Sequence, residues 1–62
     1  MILYTRKVKE QRIADQILDW LDTELIPASY SHTKRWYIVR FELAPTDKKT
    51  YDRLKKYVKS IS

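Results

Sequence analysis

The chain contains no glycine among its 62 residues, whereas glycine makes up about 7% of an average protein. Only glycine takes positive φ angles without a steric penalty and lets the backbone approach a phosphate closely. Phosphate-binding loops and dinucleotide-binding fingerprints depend on such glycines, so neither motif can be present. The tightest two-residue hairpin turns are disfavoured for the same reason, and we expect a looser, four-residue connection between strands.

The length predicts a single domain, residues 1–62, with a small core. A chain of this size buries only about 60% of its unfolded surface, so its stability is marginal and each large apolar residue is needed. Hydrophobic residues make up 44% of the chain and charged residues 34%, which is typical of a globular protein rather than a disordered one.

The chain also has no cysteine, which excludes disulfides, thiolate catalysis and the usual structural zinc sites. We therefore expect a reducing compartment, no metal and no cofactor. Arg6 and Lys7 interrupt the N-terminal segment before a signal-like apolar run develops, and no segment reaches the roughly 20 apolar residues that span a bilayer. These features predict a cytoplasmic protein with no membrane partner.

The first half of the chain changes from strand-like to helix-like periodicity. Residues 2–8 are rich in β-branched and aromatic types and predict a strand that has Ile2, Tyr4 and Val8 on one side. Residues 10–25 predict an amphipathic helix whose apolar face lies opposite a ridge of three aspartates. We expect Pro27 to end this helix, because the residue before a proline is pushed out of the helical region.

Residues 28–43 predict a hairpin with a short first strand, a turn at 32–35 and a long second strand at 36–43. Alternation along the second strand predicts a core face and an opposite face. The core face consists of Tyr37, Val39, Phe41 and Leu43.

The segment 44–47 then starts a second helix, with Thr46 as the expected N-cap and Asp47 in the first turn. Its inner stripe is expected to consist of Tyr51, Leu54, Val58 and Ile61. The remaining positions are dominated by Lys and Arg, so this helix is strongly basic outside its apolar stripe.

This order of elements predicts an α+β fold, a two-layer βαββα sandwich with a three-stranded sheet and both helices on one face. In a truncated ferredoxin-like arrangement the strand order would be 1-3-2, which leaves strand one at an unprotected edge. An exposed edge invites pairing, so a homodimer or another protein partner through strand one is expected.

The uncovered sheet face is the first candidate site. It would present Trp36 and Arg40 from the long strand and Lys7 from strand one. Aromatic and basic groups interleaved on an open sheet are suited to single-stranded nucleic acid, because bases stack on rings while cations neutralise phosphates. The alternative is that this face packs against another copy or another protein.

Residues 34–41, Lys-Arg-Trp-Tyr-Ile-Val-Arg-Phe, resemble the octapeptide on the third strand of RNA-recognition motif domains. The match lies at the leading basic residue, Lys34, at the aromatic residue, Trp36, and at the final Val-x-Phe. The resemblance implies that Lys34, Trp36 and Ile38 occupy the family's exposed positions. Arg35 and Tyr37 replace both glycines of that signature, and Ile38 replaces the second stacking aromatic. These eight residues do not assign the chain to the family.

Charge is sorted along the chain. Residues 13–26 hold four acids and no Lys or Arg, for a formal charge of −4, while the other 48 residues hold thirteen bases and four acids, for +9. Such sorting indicates a basic surface that meets a polyanion or an acidic partner. A solvated helix face is the alternative for both the lysines of the second helix and the ridge of Asp15, Asp19 and Asp22.

Catalysis is not expected. His32 is the only histidine, and the sequence predicts it as a turn residue with no carboxylate placed to orient it. The acidic residues lie on one outer helix face rather than in a cleft, so paired-carboxylate chemistry and a small-molecule substrate are also unexpected.

Two hypotheses for function follow. The first is a small, basic, non-enzymatic nucleic-acid-binding protein. Its predicted contacts are Lys7, Lys34, Arg35, Trp36, Arg40, Lys48, Lys55, Lys56 and Lys59. The second is a protein-binding module or inhibitor of host machinery, of the kind that viruses and mobile elements use. It would act through Asp15, Asp19 and Asp22 or through the open sheet face.

Overall fold

A computed structural model describes residues 1–61. These residues form two helices and three strands in the predicted order βαββα. The elements are β1 (Ile2–Val8), α1 (Gln11–Thr23), β2 (Ala28–His32), β3 (Tyr37–Leu43) and α2 (Lys48–Ile61). Within the described residues, neither helix has the length and apolar character needed to cross a bilayer.

The three strands form one antiparallel sheet in the order β1-β3-β2, which confirms the predicted strand order. Strand β3 is central: its Arg40 pairs with Thr5 of β1 on one side and with Ser29 of β2 on the other. Strands β1 and β2 are therefore both edge strands, and both run antiparallel to β3.

Both helices pack on the same face of the sheet, as predicted. Alternate residues of β3 supply Val39, Phe41 and Leu43 to the core, and each is at most 3% exposed. The helices complete the core with Ile13, Ala14, Ile17 and Leu21 of α1 and Leu54 and Val58 of α2. Because one core holds residues from all these elements, the opposite face of the sheet carries no helix.

Aromatic side chains attach α2 to the sheet. The ring of Tyr51 stacks on Tyr4 of β1 with centroids 4.3 Å apart, and it also contacts Phe41 of β3 at 6.4 Å. Helix α2 therefore lies over the β1 side of the sheet. All three rings were predicted to face inward, and Tyr4 and Tyr51 are half-buried.

A second set of contacts joins α2 to α1. Tyr57 stacks on Trp20 at 6.0 Å, and the Arg53 guanidinium lies 5.5 Å from the same Trp20 ring. Arg53 also forms an ion pair with Glu24, directly after the end of α1. These contacts define the side of α2 that faces α1.

The end of α1 differs from the prediction, because the helix stops at Thr23 and Pro27 is not the cause. Leu25 adopts a left-handed backbone with φ of 59°. The amide of Ile26 donates to the Leu21 carbonyl at 2.9 Å, and the amide of Leu25 donates to the Asp22 carbonyl at 3.0 Å. This pair of bonds is a Schellman motif, in which leucine occupies the position that glycine usually fills.

The start of α2 also differs, since Asp47 rather than Thr46 directly precedes the helix. The Asp47 carboxylate accepts a hydrogen bond of 2.7 Å from the Thr50 hydroxyl, one turn into the helix. Both residue types are good caps, so the sequence located the helix start to within one residue.

Candidate functional site

The face of the sheet opposite the helices, here called the open face, is polar with a few apolar side chains. Its rows follow from the strand register: Thr5, Arg40 and Ser29 form one row, and Lys7, Ile38 and Ser31 form the next. Arg40 donates a hydrogen bond of 2.8 Å to the Ser31 hydroxyl, which fixes the guanidinium across two strands. The predicted open-face residues Lys7 and Arg40 therefore lie on the same surface.

Trp36 lies in the hairpin connection just before β3, at one end of the open face. Residues 33–36 form the predicted four-residue connection, one position later than expected, so His32 is the last residue of β2 rather than a turn residue. The Thr33 amide donates to the Trp36 carbonyl at 2.8 Å, and the Trp36 amide donates to the Thr33 hydroxyl at 3.1 Å. Thr33 therefore forms hydrogen bonds to both the carbonyl and the amide of Trp36 and fixes the Trp36 backbone.

The Trp36 side chain is half-buried, and the core cluster of the described residues does not include it. The Lys9 ammonium lies 5.5 Å from the centroid of the indole, within the range of a cation–π contact. Trp36 is therefore a half-buried aromatic side chain at the end of the sheet, just before β3 and not within the strand as predicted.

Trp36 also forms one wall of a groove of about 460 Å³. The floor contains Val8, Ile13 and Val58, and the rim contains Arg6, Lys7, Lys9 and Glu10. We call this groove, together with Lys34 and Arg35 of the adjoining connection, the basic end. An apolar floor with an aromatic wall and a cationic rim suits a ligand that is flat and negatively charged.

The cations of the basic end are electrostatically uncompensated. Among residues 1–61, no ion pair involves Arg6, Lys7 or Lys9, and none involves Lys34 or Arg35. The one acid on the groove, Glu10, pairs with Arg12 at 3.1 Å. The basic end therefore keeps its positive potential.

A second groove, of about 410 Å³, lies at the other end of the open face, where its lining includes Leu3, Ser29, Arg40 and Glu42. Leu3 is 60% exposed, so this end presents apolar surface. A ligand that crosses the open face would meet an apolar patch, then Arg40, then Trp36.

The predicted lysines of α2 do not share this surface, because α2 packs on the opposite face of the sheet. Lys55, Lys56 and Lys59 line a groove of about 360 Å³ together with Asp52, and Lys55 pairs with Asp52 at 3.5 Å. The exposed Lys48 lies at the start of the same helix. The nine predicted nucleic-acid contacts are therefore divided between two layers of the molecule.

The predicted acidic ridge lies on the outer side of α1, where Asp15, Asp19 and Asp22 are all exposed. Partial burial, followed by the Asp15 carboxylate, raises the pKa of Tyr30 above its ordinary value of 10.0, while a hydrogen bond from Gln11 lowers it in part. The opposite side of α1 carries Trp20, which contacts α2 above β1, so the acidic side of α1 faces the β2 edge of the sheet.

Three residues of this site were missed by the sequence analysis: Arg6, Lys9 and Thr33. Lys9 follows the strand and would have been found by continuing the alternation one step further, opposite Trp36. Arg6 lies on the core face of an edge strand, where an apolar residue is expected. Thr33 acts through its backbone and hydroxyl, and sequence spacing carries little signal for such a contact.

No protein-family model, no curated protein and no solved structure matches the chain. Within residues 1–61, no group of three or more His, Cys, Asp or Glu side chains is placed to hold a metal ion. The geometry and charge of the open face and the basic end are therefore the features that bear on function.

Proposed function

We propose that this protein binds single-stranded nucleic acid on its open face and at its basic end, and that it is a binding protein rather than an enzyme. The observation that carries the proposal is the placement of Trp36. This accessible indole borders a groove whose rim cations, Arg6, Lys7 and Lys9, have no acidic partner within residues 1–61. In this function the protein acts in the cytoplasm.

The chemistry of the groove supports a base and its phosphate as the ligand. A nucleobase stacks on an indole in any sequence context, because every base has a π face, and one such contact contributes about 1–3 kcal/mol. The neighbouring cations reach the phosphates on either side. Duplex bases already stack on one another and cannot offer a free face, which favours a single strand.

The open face supports a path for the rest of the strand. From Trp36 to Glu42 the central strand advances roughly 20 Å at about 3.3 Å per residue. Arg40 lies about two-thirds of the way along this path, in the lining of the second groove, and its hydrogen bond to Ser31 fixes its position. Side-chain hydroxyls of Thr5 and Ser29 flank it and can donate to phosphate or sugar oxygens.

Fluorescence titration tests this proposal in a Trp20→Phe background, which leaves Trp36 as the only indole. We expect 20-nucleotide DNA and RNA single strands to quench Trp36, and a duplex of the same length to bind more weakly. If four to six phosphates are neutralised, log affinity should fall with log salt at a slope of about −3 to −4.

Matched variants locate the surface. Lys7→Glu should weaken binding at least tenfold, whereas Lys49→Glu, the same charge change on an exposed residue of α2, should have a much smaller effect. Trp36→Ala should remove about 1–3 kcal/mol of binding free energy, and Trp36→Phe should retain part of it. Reversing Lys55, Lys56 and Lys59 together measures the contribution of α2.

The proposal is wrong if single strands do not bind at 50 mM salt, or if Lys7→Glu and Lys49→Glu weaken binding equally. Co-purification of one defined protein, insensitive to nuclease and to salt, would instead support the protein-binding alternative.

A further inference from the structure

The two edges of the sheet carry opposite charge. Trp20 of α1 contacts Tyr57 and Arg53 of α2, which lies over β1, and Asp15 lies about 140° around α1 from Trp20, so Asp15 faces the β2 side. Asp22 lies two turns from Asp15 on the same side of α1, because positions seven apart in a helix align. Both carboxylates are exposed and take part in no ion pair within residues 1–61.

The β1 side is basic. Since Arg53 and Tyr57 of α2 face α1, the opposite side of α2 carries Lys55 and Lys59. Asp52 lies on the same side, but the exposed Lys48 keeps this side net positive. Below α2, strand β1 adds Arg6 to the same edge, half-buried on the core face.

This distribution disfavours two-fold pairing at either edge. In a two-fold dimer through β1, the Lys-bearing sides of two α2 helices would face each other, and a two-fold dimer through β2 would bring the aspartates together. Like charges placed opposite one another across strands or helices are destabilising. The homodimer through strand one, expected from its exposed edge, is therefore opposed by its own charges.

We infer that a second copy of the chain docks head to tail, so that the β2 edge of one copy pairs with the β1 edge of the next. Strands β1 and β2 both run antiparallel to β3, so they run in the same direction. A second copy placed alongside with its helices on the same face would extend the sheet by parallel pairing. The inference does not depend on the proposed nucleic-acid function.

Charge complementarity in the helix layer supports this arrangement. In the helix layer, Asp15 and Asp22 of one copy face Lys55 and Lys59 of the next. Below the helices, Arg6 adds a further positive charge to the β1 edge, and it takes part in no ion pair within residues 1–61.

The head-to-tail association should be observable only over a limited range of salt concentration. The molecule measures 33 × 22 × 15 Å, so at 0.1 M salt, where the screening length is about 10 Å, repulsion between distant charges is largely suppressed. Charges in contact are screened less. At 1 M salt the screening length falls to about 3 Å, and the contacts themselves weaken. A head-to-tail contact does not close on itself, so the assembly has no fixed size.

Sedimentation velocity of nucleic-acid-free protein, up to about 1 mM, tests the inference. At 0.1 M salt we expect a mass that rises with concentration beyond twice the 7.6 kDa of the chain, and a monomer at 1 M salt. The charge-swapped variants Asp15→Lys/Asp22→Lys and Lys55→Glu/Lys59→Glu should each remain monomeric. An equimolar mixture of the two should associate again, because each then meets complementary charge.

Several results would overturn the inference. A wild-type chain that stays monomeric at 1 mM would do so, as would a mixture that fails to recover association. If Asp15→Lys/Asp22→Lys alone forms a dimer like the wild type, the contact is two-fold through β1. Circular dichroism checks that each variant is folded. If a charge-swapped variant is not folded, the neutral variant at the same positions takes its place: Asp15→Asn/Asp22→Asn or Lys55→Gln/Lys59→Gln. Each neutral variant should weaken association.

Discussion

At the scale of single residues, Leu25 carries an identifiable backbone strain. Its φ of 59° lies in the left-handed region, where the Cβ of an L-residue costs roughly 1–2 kcal/mol. The side chain is 90% exposed, so packing contacts offset little of this strain energy. The helix end is nevertheless well defined, because the two hydrogen bonds of the Schellman motif require this conformation.

Leu25→Gly should therefore stabilise the protein by about 0.5–1 kcal/mol, since the strain is removed and only part of the gain is lost to the greater freedom of glycine when unfolded. For a domain of this size, 1 kcal/mol corresponds to about 4–8 °C in melting temperature. Urea denaturation measures the change. Leu25→Ala is the matched control: it keeps the Cβ and should change stability little, and an equal gain from alanine would contradict the strain argument.

Tyr30 should make stability depend on pH in the alkaline range. Its pKa in the folded state is raised above 10.0, chiefly by partial burial and then by Asp15. The folded state therefore favours the neutral phenol, and this contribution is present below pH 10 and is lost as pH rises through the folded pKa. As pH rises through the folded pKa, the free energy of unfolding of Tyr30→Phe should fall less than that of the wild type.

Spectrophotometric titration of the phenolates, compared between the wild type and Tyr30→Phe, measures the pKa of Tyr30 directly. Asp15→Asn should lower this pKa toward its ordinary value, because it removes a nearby negative charge. A pKa unchanged by Asp15→Asn would show that Asp15 does not contribute to the shift, which would leave burial and Tyr37 as its causes.

At the scale of elements, the strands and helices were predictable wherever one face is buried. The alternation of Val39, Phe41 and Leu43 predicted the core face of β3, and helical spacing predicted the buried side of α1. The ends of the elements were less predictable, because several residues compete for each. Leu25 ends α1 although leucine has no preference for that conformation, so only the tertiary structure reveals it.

Tyr51 should account for much of the attachment of α2 to the sheet. Its ring contacts both Tyr4 and Phe41, and aromatic pairs contribute about 0.5–1.5 kcal/mol beyond the area they bury. Tyr51→Ala should therefore destabilise the protein by about 2 kcal/mol, less than a fully buried aromatic would. Chemical denaturation measures this loss. Tyr51→Phe keeps the ring and should cost under about 0.5 kcal/mol; a loss similar to that of alanine would point to the hydroxyl instead.

At the scale of the whole molecule, a ligand that binds only the folded chain should raise its melting temperature. At a single-strand concentration of 100 times Kd, linkage adds about 2.7 kcal/mol, which corresponds to roughly 10–20 °C for a small domain. Thermal unfolding followed by circular dichroism measures the shift. Lys7→Glu should reduce it and Lys49→Glu should not; equal shifts for the two variants would place the ligand away from the open face.

The candidate site was predicted in part. Trp36, Arg40 and Lys7 follow from strand alternation, because residues two apart share a face. The α2 lysines are separated from that face because α2 packs on the other side of the sheet. The periodicity of the sequence does not predict on which side a helix packs. Lys9 follows from the same alternation continued by one residue, whereas Arg6, on the core face of β1, joins the site only because the helices leave a groove at that end of the sheet.

Arg6 is an inward-pointing cation on an edge strand whose outward face carries Lys7 and whose other residues are apolar, β-branched or aromatic. Such a strand is prone to stack with identical strands into cross-β fibrils, and a charge directed inward is one way in which natural sheets prevent this. Arg6→Leu should therefore leave the monomer folded yet shorten the lag before thioflavin-positive aggregates form, while Lys49→Leu, which removes a charge from α2, should not. Solubility at high concentration would then depend on this one guanidinium more than on the net charge of +5.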